Sequence, residues 1–313
     1  MSRAEVSPDR PQQNPLRALA WMGLALTAFS LVAVAGREAA RALAAEAGRT
    51  TAAFSDTFEI MFMRSLVGAV VVTILIGMSR PGFRQVAPRN LGLHAARNLV
   101  HFGAQFSWFH ALSLIPLAQL FALEFTAPLW VAVFAWLLLG ERFTGARVAA
   151  GFLGFLGILV IVRPGANEID FGSALALLSA IGFALSMIGT KWLTREHSAL
   201  TILFHMSWMQ LILSGGLVAS SFAVPGPEAF GWMVTVGLTS LAAHFALARA
   251  FAEADAMVVA PMDFLRLPLI GAIGYLAYGE MIDPLVGIGA TLIIAGNAIN
   301  IWSQRRANRM RVG

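Results

Sequence analysis

The chain has 313 residues, 58% of them hydrophobic and only 12% charged, against about 25% charged in a soluble domain. That composition excludes an ordinary soluble globule, and a net charge of +5 is too small and scattered for a nucleic-acid partner. Cysteine is absent, which excludes a disulfide framework and thiol chemistry.

Residues 1–17 hold Arg, Asp, Glu and three prolines and are read as a polar cytosolic tail. They lack the acid-free basic start of a signal peptide, so the first apolar segment is a retained span. A span needs about 20 mostly apolar residues. Ten are predicted: 18–36, 56–78, 91–111, 116–139, 146–163, 171–193, 199–221, 229–250, 256–279 and 284–302. Helix is the expected form of each, because lipid cannot satisfy backbone polar groups. Punctuation such as Arg80-Pro81-Gly82, Arg163-Pro164-Gly165 and Pro225-Gly226-Pro227 separates them, and 303–313 is a basic cytosolic tail.

The basic residues orient the spans. With both termini inside, the inside segments hold fifteen Lys and Arg and the outside segments four: Arg37, Arg41, Arg49 and Arg163. That bias places both termini in the cytoplasm and the chain in a cell (inner) membrane. The first outside loop, with three arginines, is an exception that the rule leaves unexplained. Its run REAARALAAEAGR reads as a helical extension or a surface turn of helix.

The chain writes one phrase twice. Pro128 to Glu141 read PLWVAVFAWLLLGE, and Pro268 to Glu280 read PLIGAIGYLAYGE. Aligned on their Gly-Glu ends, the copies place Glu124 opposite Asp263. The fold class expected is an all-α integral membrane protein of ten helices in two inverted five-helix repeats, 18–163 and 171–302. An odd number of spans per half inverts the second copy. The first Gly-Glu is followed by Arg142 and Arg147, the second by Met281 and Asp283, as the charge rule requires of opposite sides.

Three stretches are similar to the EamA family of the drug/metabolite transporter superfamily. They are EIMFMRSLVGA at 59–69, FHALSLIPLAQ at 109–119, and FTAPLWVAVFAWLLLGERFTGARVAAGFLGFLGILVIVRPG at 125–165. The second half follows more loosely, through ALARAFAEADAMVVAPMDF and the later Gly-Glu. The resemblance implies ten helices, a central cavity and alternating access for small metabolites or drugs. The Gly-Glu-Arg stretch is scaffold and says little about cargo.

Five full charges fall within apolar spans: Arg64, Arg97, Glu124, Asp263 and Arg266. Each costs about 2.5–3.5 kcal/mol at a helix centre, so they must pair, hydrate in a cavity, or titrate. In span three, His94, Arg97, His101, Gln105 and Trp108 fall within a stripe about 80° wide at helical spacing. Such a stripe faces a cavity or a partner helix. Asp263 and Arg266 share a helix face and can pair. Glu124 needs a partner from another span, with Arg64 and Arg97 the candidates. Pro128, Pro261 and Pro268 predict kinks near the two acids, whose freed carbonyls can face a cavity. His205 and Trp208 share a face of span seven, and His244 stands opposite Gln105 in the repeat.

The expected function is transport of a small organic metabolite, such as an amino acid or related carboxylate, by an exporter or exchanger. Arg64, Arg97, His101, Gln105, Trp108, His205, Trp208, His244 and Arg266 are expected to line the pathway. Glu124 and Asp263 are the candidate coupling acids, with protons as partner. A carrier of S-adenosylmethionine-like compounds or drugs stays open on the same scaffold. An intramembrane enzyme would need a clustered catalytic or metal-binding constellation, and the acids are scattered. No cofactor is expected. Nor is a metal, since the six histidines show no ligand spacing on any loop. The glycines Gly151, Gly154 and Gly157 follow no strand, so they fit close helix packing better than a nucleotide fingerprint.

Overall fold

The computed structural model describes residues 15–87, 89–139, 145–163, 170–220, 222–253, 262–281 and 283–312. The first Gly-Glu end (Gly140 to Arg142), Pro261 and most of the N-terminal tail lie outside them. Among the described residues the chain is helical, with no strand. The helices are α1 (Pro15–Glu46), α2 (Phe54–Met78), α3 (Leu91–Ala111), α4 (Leu117–Glu124), α5 (Ala127–Leu139), α6 (Gly145–Val162), α7 (Phe171–Leu193), α8 (Ala199–Val218), α9 (Pro227–Glu253), α10 (Arg266–Tyr278) and α11 (Pro284–Val312). Helices α4 and α5 make one broken span, so the eleven helices correspond to ten spans. Six stretches are long and apolar enough to cross a membrane by length and composition. Helix α3 has the length too, and its polar stripe lowers its hydropathy.

Local chemistry sets several helix ends. Asp170 accepts from the Ser173 N–H at 2.8 Å and caps α7, and Ser198 accepts from the Thr201 N–H at 3.2 Å and caps α8. Such caps satisfy donors that no helical carbonyl reaches. At the start of α2, Asp56 accepts from the Ala53 N–H at 2.7 Å and takes both terminal nitrogens of Arg49, at 2.7 and 2.9 Å.

Two expected boundaries change. Span one was expected to end at 36, and α1 continues to Glu46, so the run after it is the helical extension, one of the two forms expected. Arg37 is therefore a helical residue, 4% exposed. It donates to the carbonyls of Leu112 (2.7 Å) and Ile115 (2.6 Å) and pairs with Glu280. Of the three arginines that break the charge rule, Arg37 is thus a structural residue whose acid lies 243 residues away, while Arg41 and Arg49 pair locally with Glu38 and Asp56. At the other end of the chain, 303–312 continues α11 rather than forming a separate tail.

The second Gly-Glu phrase explains itself here. Gly279 closes α10 in the left-handed region, φ +65°, where a Cβ is costly. Its N–H donates to the Tyr275 carbonyl at 3.0 Å, and the Glu280 N–H donates back to Gly274 at 3.1 Å. This turn folds Glu280 beneath the helix. One carboxylate oxygen meets Arg37, and the other accepts from the Leu117 N–H at 2.9 Å at the start of α4. One side chain thus ties α10 to α1 and α4. Glu280→Gln keeps an acceptor but loses the charge. It is expected to lower stability by about 1.5–3 kcal/mol, read as a fall in the thermal unfolding midpoint in detergent.

Packing pairs distant helices: α1 lies along α9, α3 along α7, α2 along α8 and α9, and α6 along α11. The α6–α11 contact is very close. A Cβ at Gly157 would lie 2.6 Å from the Gly289 carbonyl oxygen and 2.7 Å from Ile293, whereas one at Gly151 would meet nothing within 4 Å. Gly157→Val is expected to cost about 1–3 kcal/mol by overpacking, and Gly151→Ala close to nothing. Thermal melts of the two variants side by side check the contrast.

Connections alternate between two ends of the bundle. One end carries Arg37–Glu280, the Glu46 acceptor of the Gly226 N–H (3.0 Å), and the Arg163–Asp283 pair. The other carries the Asn90–Glu196 bond (2.7 Å) and the Gln85–Ser198 bond (3.3 Å). Asp283 accepts from the Leu285 N–H and pairs with Arg163, and both hold its carboxyl below the ordinary value. Between the two closed ends lie the buried polar groups.

Candidate functional site

Arg64, near the middle of α2, is 8% exposed, and among the described residues no carboxylate pairs with it. Its Nε donates to Ser240 on α9 at 3.2 Å, and Nη1 reaches Gln210 Oε1 on α8 at 3.3 Å. Gln105 completes the group from α3. In the amide orientation its neighbours require, its carbonyl oxygen accepts both Arg64 terminal nitrogens, at 2.8 and 2.9 Å. Its amide nitrogen then donates to Gln210 Oε1 at 2.8 Å. Four helices therefore converge on one guanidinium, and every partner is uncharged. A small cavity beside it is lined by Arg64, Ser207, Gln210, Ser240 and His244 among others, with about 20 Å³ open to the centre of a water. That is room for about one water, so this conformation is closed around the site.

The stripe of α3 extends from this group in both directions. Arg97 donates to Thr190 on α7 at 3.1 Å and to Asn98 at 2.8 Å. It too has no carboxylate partner among the described residues. His101 bonds Ser186 at 3.1 Å. His94 stacks on His205 at 4.3 Å and lies 4.9 Å from His197, packing three imidazoles at one end of the bundle. His205 also bonds the Thr201 carbonyl at 3.0 Å. The stripe thus faces partner helices on both sides of α3, with Gln105 as its member bonded to Arg64.

One turn on from Gln105, Trp108 Nε1 donates to Glu124 Oε2 at 2.7 Å. The other oxygen of Glu124 meets Arg266 at 3.3 Å, and the same Arg266 nitrogen meets Asp263 at 3.1 Å. The Asp263–Arg266 pairing is as expected. The partner of Glu124 is not: it is Arg266, and neither Arg64 nor Arg97. Breaks in two spans bring the acids to one arginine. Helix α4 ends at Glu124 and α5 starts at Ala127, while a short 3₁₀ turn at Asp263–Leu265 precedes α10. Pro128 and Pro268 stand in the first turns of α5 and α10, where a missing N–H costs little. The Phe125 carbonyl freed at the first break faces no cavity. Asn297 of α11 donates to it at 2.8 Å.

His244 lines the arginine cavity and bonds the Ser240 carbonyl at 2.7 Å. Trp208 lies apart from the cavity: it is 40% exposed and donates to Thr73 at 3.1 Å. Trp108 is buried against Phe109 and Phe121. Gln210, Ser240 and Ser207 were not singled out from sequence. Ser207 and Gln210 are three apart on α8, and Ser240 is four before His244 on α9, so the signal that could have found them is the same helical spacing that marked the stripe of α3. Among the described residues no group of three or more His, Cys, Asp or Glu is placed to hold a metal ion.

A model of the EamA-like transporter family matches residues 16–163 and again 170–302. The chain is 30% identical over 293 residues to a riboflavin transporter of Rhizobium johnstonii, covering 92% of each. It is 24% identical to an S-adenosylmethionine uptake transporter of Rickettsia bellii, covering 82% of this chain and 87% of that one. A solved crystal structure of 20% identity has the same fold, with TM-score 0.59 over 93% of this chain and 98% of the other.

Proposed function

The chain belongs to the EamA-like transporter family, and we propose that it carries a small organic metabolite bearing a carboxylate, such as an amino acid, by alternating access. The observation that carries this reading is the charge balance of the buried arginines. Arg266 faces two acids, while Arg64 and Arg97 have only uncharged partners among the described residues. A buried cation without an anion is costly in an apolar interior, and an anionic group on the cargo offsets that cost.

The inverted repeat is supported by several features. The family model matches in two stretches. Taking α4–α5 as span four, the packing pairs map onto one another when each span is advanced by five. Pairing of spans one and eight becomes that of six and three. Two with eight becomes seven with three, and five with ten maps onto itself. The Glu46–Gly226 bond at one end has its counterpart in Asn90–Glu196 at the other. Two such halves rocking about the arginine site would open it to each side in turn, as an exporter or exchanger does. The excess of Lys and Arg on the tail side supports cytoplasmic termini in an inner membrane.

Glu124 and Asp263 remain the candidate proton carriers. Two acids on one guanidinium leave a net negative charge inside the membrane, which one proton neutralises. Glu124→Gln is expected to make uptake independent of an imposed pH gradient. Unchanged pH-driven uptake in proteoliposomes removes Glu124 from that role.

A second reading is favoured by the relative of 30% identity, a riboflavin transporter. The flavin dione edge presents carbonyl oxygens that the Arg64 fork can receive. A thermal-shift screen of the purified chain against amino acids, other carboxylates, S-adenosylmethionine and riboflavin separates the two, because a bound ligand raises the midpoint. Counterflow of the compound that binds confirms a carrier. Rapid leak without counterflow means a channel and overturns the reading.

A further inference from the structure

Resting on the reading of Arg64 as the cargo's anion site, we infer that Gln105 is a built-in competitor, its carboxamide oxygen holding the place on the Arg64 fork that the cargo's carboxylate takes. Both terminal nitrogens of Arg64 converge on that one oxygen, at 2.8 and 2.9 Å. The same two nitrogens are the pair with which arginine grips the two oxygens of a carboxylate. Nε is occupied by Ser240 and Nη1 also reaches Gln210, so a newcomer can grip both terminal nitrogens together only where Gln105 yields. The adjoining cavity is open to the centre of a water over about 20 Å³, room for about one water. A two-pronged grip on the fork therefore requires displacement of Gln105.

Of the three partners, Gln105 is the one suited to yield. Its amide nitrogen is also bonded to Gln210 at 2.8 Å, so displacement of its oxygen gives up the two Arg64 bonds to that oxygen, and the incoming carboxylate takes up both donors. Ser240 is held short by its single carbon, and Gln210 is already shared between Arg64 and Gln105. A neutral amide oxygen is a weaker acceptor for a guanidinium than a carboxylate. A carboxylate therefore exchanges with Gln105 at a gain, whereas a neutral amide exchanges at none. The side chain then acts as a specificity filter, raising the threshold that any acceptor must exceed to reach Arg64.

The test uses acetate, with acetamide as its neutral isostere, titrated at constant ionic strength against the purified full chain, with the thermal midpoint as readout. Wild type is expected to respond to acetate and not to acetamide, and Arg64→Gln to neither. Gln105→Ala is expected to lower the half-saturating acetate concentration by about tenfold. Gln105→Glu places a tethered carboxylate in the fork. It is expected to raise the midpoint without ligand and to abolish the acetate response. If Arg64→Gln responds to acetate as wild type does, the anion-site reading itself fails. If the response depends on Arg64 but Gln105→Ala weakens it, Gln105 is a supporting contact and the competitor inference is overturned while the site stands. Should Gln105→Ala fold poorly, Gln105→Glu decides alone: a lowered ligand-free midpoint contradicts the inference.

Discussion

Arg266→Ala is expected to destabilise the protein by about 3–5 kcal/mol, the cost of removing one partner from a buried charge network. Arg266 is 6% exposed. Its guanidinium carbon lies 5.0–5.3 Å from the ring centres of Phe29, Phe121 and Phe125, and its Nη2 meets both Glu124 and Asp263. Without it, two carboxylates face an apolar interior with Trp108 as the remaining donor to Glu124. The same residue ties α4 to α10 across the two halves, so the loss falls on tertiary packing. Arg266→Lys keeps the charge but not the planar group among three rings, and a smaller loss is expected. The double variant Arg266→Ala with Glu124→Gln removes one stranded charge and should recover part of the stability, a coupling that a double-mutant cycle measures. Thermal unfolding in detergent reads all three. A midpoint unchanged by Arg266→Ala would mean that the network contributes no net stability.

Arg64 makes the opposite case, and the contrast between the two arginines is what the account turns on. Arg64→Gln removes a buried cation whose described partners are Gln105, Gln210 and Ser240. The replacing amide is neutral, and Gln105 and Gln210 keep the 2.8 Å bond between them. Stability is expected to be held or raised, because a desolvated charge without a counter-ion is lost. Cargo affinity is expected to fall by about 2–4 kcal/mol, the range for truncating one partner of a charge pair, or roughly 30- to 1,000-fold. Arg97→Gln should follow the same direction, since its described partners are Thr190 and Asn98.

Much of the scaffold was legible because its signals are local. Hydropathy marks spans within a residue or two at 171–193 and 91–111, and proline near Glu124 marks a real break. The pairing of charges was not legible, since it is set by packing between helices far apart in sequence. Arg37 reads from sequence as an unexplained outside charge because its acid, Glu280, lies 243 residues away. Glu124 was matched to the wrong arginines because the chain order does not reveal that α4 and α10 meet. The polar stripe of α3 was visible at helical spacing. Its division among α7, α8 and the Arg64 site follows from where those helices pack. Gln210 and Ser240 stand at helical spacing from Ser207 and His244 on their own helices, but that both pairs face Arg64 follows only from how α8 and α9 pack. Trp208 shares a helical face with His205, yet the tryptophan ends at the periphery because the helix turns enough over three residues to separate them.

The most direct measurement compares the thermal midpoint of Arg64→Gln with that of wild type, each with and without the compound that shifts wild type most. The account predicts a ligand-free midpoint equal to or above wild type together with loss of the ligand-induced shift. A lowered ligand-free midpoint with the ligand shift intact would make Arg64 a structural arginine like Arg266, and would contradict the account.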